Sequence, residues 1–177
     1  MTKLLVIVDM QNDFITGSLA NTEGQKIVDK IVDYAGNFEG NIVATQDTHT
    51  EEYLKTQEGQ HLPVEHCISG TEGWEIVPKI EKMLQDRSAK SLYSVTRLNK
   101  PTFGSTGLGE LVKDGGYTEV ELCGVCTDIC VISNALLIKA FVPEVKISVL
   151  KELCAGVTPE AHETALKAMK SCQINIV

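Results

Sequence analysis

Short apolar runs rich in β-branched residues, each ending on a polar or chemically active group, constrain this chain more than any other feature. The first, residues 3–9 (K-L-L-V-I-V-D), is apolar without alternation, the pattern of a strand buried on both faces of a parallel sheet. Residues 41–45, 91–96, 117–123, 145–150 and 173–177 are read as further strands. Between them lie stretches of helical spacing. Residues 23–38 place Ile27, Ile31, Val32 and Tyr34 near one face, and residues 76–85 open with Pro78 in the first turn. Residues 106–114 are closed by Gly115-Gly116, residues 127–141 are apolar nearly all round, and residues 158–171 start on a Thr-Pro-Glu cap. Strands alternating with helices predict an α/β fold: a three-layer α/β/α sandwich with a mostly parallel, doubly wound central sheet of about six strands, forming a single domain over 1–177.

A chain of 177 residues buries a sizeable core without staples. Its net charge of -8 argues against nucleic acid or an anionic membrane as partner. The N-terminal apolar run is too short for a secretion signal or a membrane span, so a cytoplasmic location is expected. Most of the 6 cysteines sit inside apolar runs, and reduced thiols are expected rather than disulfides. Between about 50 and 75 periodicity disappears, which marks a long functional loop.

In open α/β sheets ligands bind beyond the carboxyl ends of the strands. Asp9, Asp47 with His49, Lys100 and Cys130 all fall at or just past such ends. Singly each has a bland reading: a cap, a solvated charge, a packed thiol. Together they make an acid, a lysine and a cysteine at one edge. Cys130 lies in V-E-L-C-G-V-C-T-D-I-C-V, and with Thr127 as N-cap it would sit in a first helical turn, where free N–H groups and the helix dipole favour a thiolate. Cys130 is then the nucleophile, Asp9 the proton acceptor, Lys100 the cation beside the thiolate, and the backbone N–H groups of Cys126 and Cys130 the oxyanion hole.

These residues carry a resemblance. V-I-V-D-M-Q-N-D-F, R-L-N-K-P-T-F-G-S-T and G-V-C-T-D-I-C-V resemble the aspartate, lysine and cysteine motifs of the isochorismatase-like superfamily of cysteine hydrolases, and most closely those of its nicotinamidase group. The resemblance implies a catalytic triad of Asp9, Lys100 and Cys130, a cis peptide between Val125 and Cys126, and a substrate pocket that includes Phe14, Leu62 and Val125. It also implies a divalent metal, zinc by first choice with manganese or iron as alternatives, on Asp47, His49 and His66. Glu58 and His61 compete for the remaining ligand, and Glu58 is preferred. The implied reaction is hydrolysis of a small-molecule amide through a cysteine thioester, first of all nicotinamide to nicotinate and ammonia, in a homo-oligomer. Two departures stand out: Leu62 occupies a place where nicotinamidases usually carry Trp, and the segment from Pro63 to His66 is one residue longer than the commonest form. Trp74 is read as a packing residue. Leu62 keeps open a second amidase reading, with a carbamoyl or ureido compound as substrate. Two other classes compete: a C-x-x-C redox pair at Cys123 and Cys126, and a binding protein on the same fold without chemistry.

Overall fold

A computed structural model describes residues 2–90 and 92–177. Six strands form one sheet: β1 (Lys3–Val8), β2 (Asn41–Asp47), β3 (Val95–Lys100), β4 (Glu119–Val125), β5 (Lys146–Ala155) and β6 (Asn175–Ile176). All neighbours are parallel, in the order β3-β2-β1-β4-β5-β6. Leu4 to Val8 are all buried, as a strand covered on both faces requires. The order reverses direction at β1, so right-handed crossovers put α2 (Thr22–Asn37) and α4 (Pro78–Ala89) on one face and α5 (Thr106–Asp114), α6 (Ile132–Phe141) and α7 (Pro159–Ser171) on the other. α2 packs on α4, and α6 packs on both α5 and α7. Two short helices, α1 (Asn12–Ile15) and α3 (Gln57–His61), belong to the loops after β1 and β2.

Helix starts follow local chemistry. The Asn21 side chain accepts from the N–H groups of Glu23 and Gly24 at the head of α2, and Thr158 accepts from Ala161 ahead of Pro159 in α7. Among the described residues no helix is long and apolar enough to cross a membrane.

Several boundaries differ from the sequence reading, and four differences stand out. The third strand was expected over 91–96, and Ser91 lies outside the described residues; the strand runs over Val95–Lys100. β3 is an edge strand paired to β2 alone, with Thr96, Arg97 and Asn99 exposed, so it carries no continuous apolar run. The segment read as irregular holds α3 and two short 3-10 turns, Tyr53–Lys55 and Glu72–Trp74. β5 continues to Ala155, five residues past its expected end, because its pairing with β4 is irregular between Leu122 and Gly124. The fourth concerns the start of the helix after β4, described with the site.

Gly124 shows what joins the sheet to the site. Its φ is +114°, and a Cβ there would stand 2.1 Å from the Val8 carbonyl oxygen of β1. Only glycine lets β4 approach β1 this closely where the two strands end. Gly124→Ala is expected to destabilise the protein by about 2–4 kcal/mol, read as a lower urea midpoint with an unchanged denaturant slope.

Candidate active site

The strand order reverses at the β1–β4 pair, and the chemistry-bearing residues gather beyond the carboxyl ends of the strands there. The register pairs Val8 with both Thr45 and Gly124, and Asp47 with Lys100, so four strand ends lie level. Asp9 follows β1 with φ 49°, a left-handed conformation that aspartate tolerates better than most residues. Its backbone N–H donates to the Thr45 carbonyl at 3.2 Å, and Thr45 Oγ1 donates to Asp9 Oδ1 at 2.7 Å.

Lys100 closes β3 and is fully buried. Its ammonium Nζ lies 2.7 Å from Asp9 Oδ2, 3.3 Å from Asp47 Oδ1, 3.1 Å from the Thr102 carbonyl and 3.7 Å from Cys130 Sγ. Burial alone would lower the lysine pKa, but Asp9, Cys130 and Asp47 outweigh it and hold the group protonated. Burial raises the Asp9 carboxyl above its ordinary value against the opposing pull of Lys100. Burial and the Asp9 carboxylate push the Cys130 thiol well up, with Lys100 pulling down. Burial thus disfavours the charged form of both groups, and Lys100 is the neighbour that opposes it in each.

The start of the helix after β4 differs from the expectation that Thr127 is its N-cap. β4 ends in a cis Val125–Cys126 peptide, and Thr127–Val131 forms a π-helical turn before α6. Cys126, not Thr127, caps the turn: the N–H groups of Ile129 and Val131 both donate to its carbonyl, at 3.0 and 3.1 Å. Thr127 is buried inside the turn, with Oγ1 2.8 Å from His162 Nδ1. Cys130 is therefore the fourth residue after the cap, inside the π-helical turn. Among the described residues the Cys126 N–H donates to no protein acceptor.

One side of the Asp9, Lys100 and Cys130 group adjoins a second cluster. Asp47, His49, Glu58 and His66 offer ligand atoms that all lie within 4.8 Å of one another. Asp47 Oδ2 lies 3.0 Å from His49 Nε2 and 3.6 Å from His66 Nε2, while Glu58 Oε1 lies 3.7 and 3.8 Å from the same two nitrogens. His66 Nδ1 donates to the Val64 carbonyl at 2.8 Å, which fixes its tautomer and leaves Nε2 free to face the cluster. Burial works against Asp47 ionisation, but hydrogen bonds from His49 and His66 and the charge of Lys100 hold its pKa below the usual carboxylate range. Two carboxylates and two imidazoles converging in a half-closed pocket are the donor set of a divalent metal. His61 points elsewhere: it is exposed, and its Nδ1 pairs with the Gln57 carbonyl at 2.8 Å.

Both clusters open into a cleft of about 590 Å³ whose walls include Phe14, Leu62, Phe103, Cys126, Ile129 and Cys130. A family model described as the isochorismatase domain matches residues 3–177. The chain belongs to the isochorismatase family.

Within this family it is 31% identical over 173 residues to an uncharacterized isochorismatase family protein of Bacillus subtilis, covering 94% of this chain and 93% of that protein. It is 30% identical to the nicotinamidase/pyrazinamidase of Mycobacterium tuberculosis, covering 99% and 98%. Among solved structures, the nicotinamidase/pyrazinamidase of Bacillus subtilis superposes with a TM-score of 0.86 at 27% identity over 100% of both chains. The pyrazinamidase of Pyrococcus horikoshii in complex with zinc gives 0.80 at 30% identity, covering 100% and 99%.

The tertiary structure thus brings Asp9, Lys100 and Cys130 together and sets Asp47, His49, Glu58 and His66 beside them. Phe14 and Leu62 line the cleft; Val125 does not. The Val125 side chain is buried and faces α2, where its Cγ1 lies within contact range of the space above Gly24, because the strand alternates and the next residue turns into the cleft. Trp74 is half-buried, donates from Nε1 to Thr48 Oγ1 at 2.9 Å and lies off the cleft wall. Cys123 is fully buried within β4, and all six cysteines are free.

Three supporting residues escaped the sequence reading. Gln11 is buried and locks the end of β2, donating to the Asp47 carbonyl and accepting from the Asp47 N–H, both at 2.8 Å. Asn134 donates to the Cys130 carbonyl at 2.8 Å and to the Phe103 carbonyl at 3.1 Å, and accepts from Ser105 N–H at 3.0 Å. Tyr53 packs against both imidazoles. Each is a polar or amphipathic residue at a buried position, and nothing in local residue spacing marks it as buried. Elemental analysis separates the two ligand candidates: Glu58→Gln should cut bound metal by about tenfold or more, while His61→Ala should retain it.

Proposed function

We propose that this chain is an amidohydrolase that converts nicotinamide to nicotinate and ammonia through a thioester on Cys130. One observation carries the reading: a fully buried ammonium, Lys100, stands 2.7 Å from the Asp9 carboxylate and 3.7 Å from Cys130 Sγ, where the cleft meets the strand ends. Nicotinamidases aligned over nearly the whole chain support it.

In this reading Asp9 takes the thiol proton as Sγ attacks the carboxamide carbon, and Lys100 offsets the developing sulfur charge. The N–H groups of Cys126 and Cys130 face the oxyanion. Asp9 returns the proton to the leaving nitrogen, ammonia departs, and a thioester remains. Asp9 then deprotonates a water that attacks the thioester carbonyl, and collapse of the adduct releases the acid and restores the thiol. Phe14, its ring centroid 5.5 Å from that of His66, supplies an aromatic wall for a flat substrate. A divalent metal on Asp47, His49, Glu58 and His66, with zinc the first choice and manganese or iron alternatives, would supply a Lewis-acid anchor for the ring nitrogen.

Leu62, on the cleft wall and 39% exposed, favours one alternative. It offers no ring to stack opposite Phe14, so a non-aromatic carbamoyl or ureido compound fits the same chemistry. Ammonia release from nicotinamide, pyrazinamide, carbamoylsarcosine, ureidoacrylate and biuret decides between them. Turnover of another compound without nicotinamide reassigns the substrate.

Cys130→Ala should lower hydrolysis by at least about 10³-fold, while Cys123→Ser keeps substantial activity; equal losses would favour the redox reading. Because Lys100 is the charge that pulls the Cys130 pKa down, Lys100→Ala should raise it and slow iodoacetamide alkylation near neutral pH. Unchanged alkylation would remove that role.

A further inference from the structure

The segment that carries Glu58 has little stability of its own. α3 spans five residues, too few for a helix to persist in water without support. Both its ends are tied to one residue, Tyr53, which is fully buried although it lies in a loop. At the N-terminal end the Tyr53 carbonyl accepts from the Thr56 N–H at 2.9 Å and from Thr56 Oγ1 at 2.7 Å, and Thr56 Oγ1 in turn accepts from the Gly59 N–H at 3.0 Å. At the C-terminal end the Tyr53 hydroxyl donates to the Leu62 carbonyl at 2.9 Å, and the Leu62 N–H donates to the Glu58 carbonyl at 2.8 Å. The helix lies so close that a Cβ on Gly59 would stand 2.1 Å from the Tyr53 carbonyl oxygen.

The same side chain holds the other ligand candidates. Its ring centroid is 4.7 Å from that of His49 and 4.9 Å from that of His66, with the two imidazoles 4.9 Å from each other. Those imidazoles come from opposite sides of a long excursion: His49 follows β2, and His66 precedes the return of the chain. Tyr53 is the residue that touches both and also carries the clamp on α3.

We infer that Tyr53 is the positioning residue of the metal cluster, its ring setting the two imidazoles and its hydroxyl setting Glu58 by clamping α3 through Leu62. The inference rests on the reading that Asp47, His49, Glu58 and His66 bind a divalent metal. It divides the residue into two separable functions. The ring packing survives replacement by phenylalanine, whereas the tie to Leu62 does not. Loss of the hydroxyl should therefore act chiefly through Glu58.

Zn²⁺ affinity of the full chain, measured by competition with a chromophoric chelator, tests this without reference to turnover. Tyr53→Phe should weaken Zn²⁺ binding by about tenfold to a hundredfold in the wild-type background. Added to Glu58→Gln, where the helix no longer delivers a carboxylate, it should change affinity by less than about twofold. Thr56→Ala cuts the opposite end of the clamp at an exposed position and should show the same dependence on Glu58, which keeps the test decisive if Tyr53→Phe does not fold. Wild-type affinity in both variants, or a loss that persists undiminished beside Glu58→Gln, overturns the inference. Failure of the wild-type chain to bind Zn²⁺, Mn²⁺ or Fe²⁺ overturns the metal reading beneath it, an outcome distinct from binding that the variants leave untouched.

Discussion

The rest of the site depends on one buried cation. Taking an ammonium group out of water carries a penalty of several kcal/mol, and Lys100 is fully inaccessible. It is tolerated there because two carboxylates and the Thr102 carbonyl replace its water shell. Removing any one partner would leave uncompensated charge in the interior, so the lysine constrains Asp9, Asp47 and the loop after β3 together. A buried arrangement of this kind is a poor source of stability, since well-packed apolar side chains would serve at least as well. Its value lies in setting the charge beside Cys130.

Asp47 extends that constraint to a second cluster. Its Oδ1 faces Lys100, and its Oδ2 faces His49 and His66. A single carboxylate therefore touches both the Lys100 ammonium and the cluster of Asp47, His49, Glu58 and His66. The protein holds it from behind with Gln11, which pairs with both the N–H and the carbonyl of Asp47. Charge placed in one cluster is felt in the other across a few ångströms of low-dielectric interior. The geometry of the strand ends, level because Val8 pairs with Thr45 and Gly124 while Asp47 pairs with Lys100, makes the sharing possible.

Much of this was legible in the sequence for identifiable reasons. Central strands such as β1 announce themselves because burial on both faces demands an apolar run without alternation. Helix heads at Thr158-Pro159 likewise follow from local hydrogen bonding. β3 was displaced in the reading because an edge strand has one partner and one wet side, so its residues R-L-N-K resemble a turn. The π-helical turn leaves no signature in residue spacing, because it rests on one i→i+5 bond from the Val131 N–H onto the Cys126 carbonyl, and the change of cap from Thr127 to Cys126 goes with it. Val125 was placed in the pocket although strand alternation turns it toward α2.

The sequence by itself determined the parallel α/β order, and it placed Asp9, Lys100 and Cys130 at or just past strand ends, because each follows from local pattern. Tertiary structure alone decided three other matters. It placed Glu58 rather than His61 in the cluster, since that depends on how a five-residue helix is clamped to Tyr53. It set the direction in which the Cys130 thiol shifts, since burial and the neighbouring Asp9 and Lys100 charges govern that balance. It also joined two clusters through one carboxylate, because level strand ends and charge in a low-dielectric interior exist only once distant segments have packed.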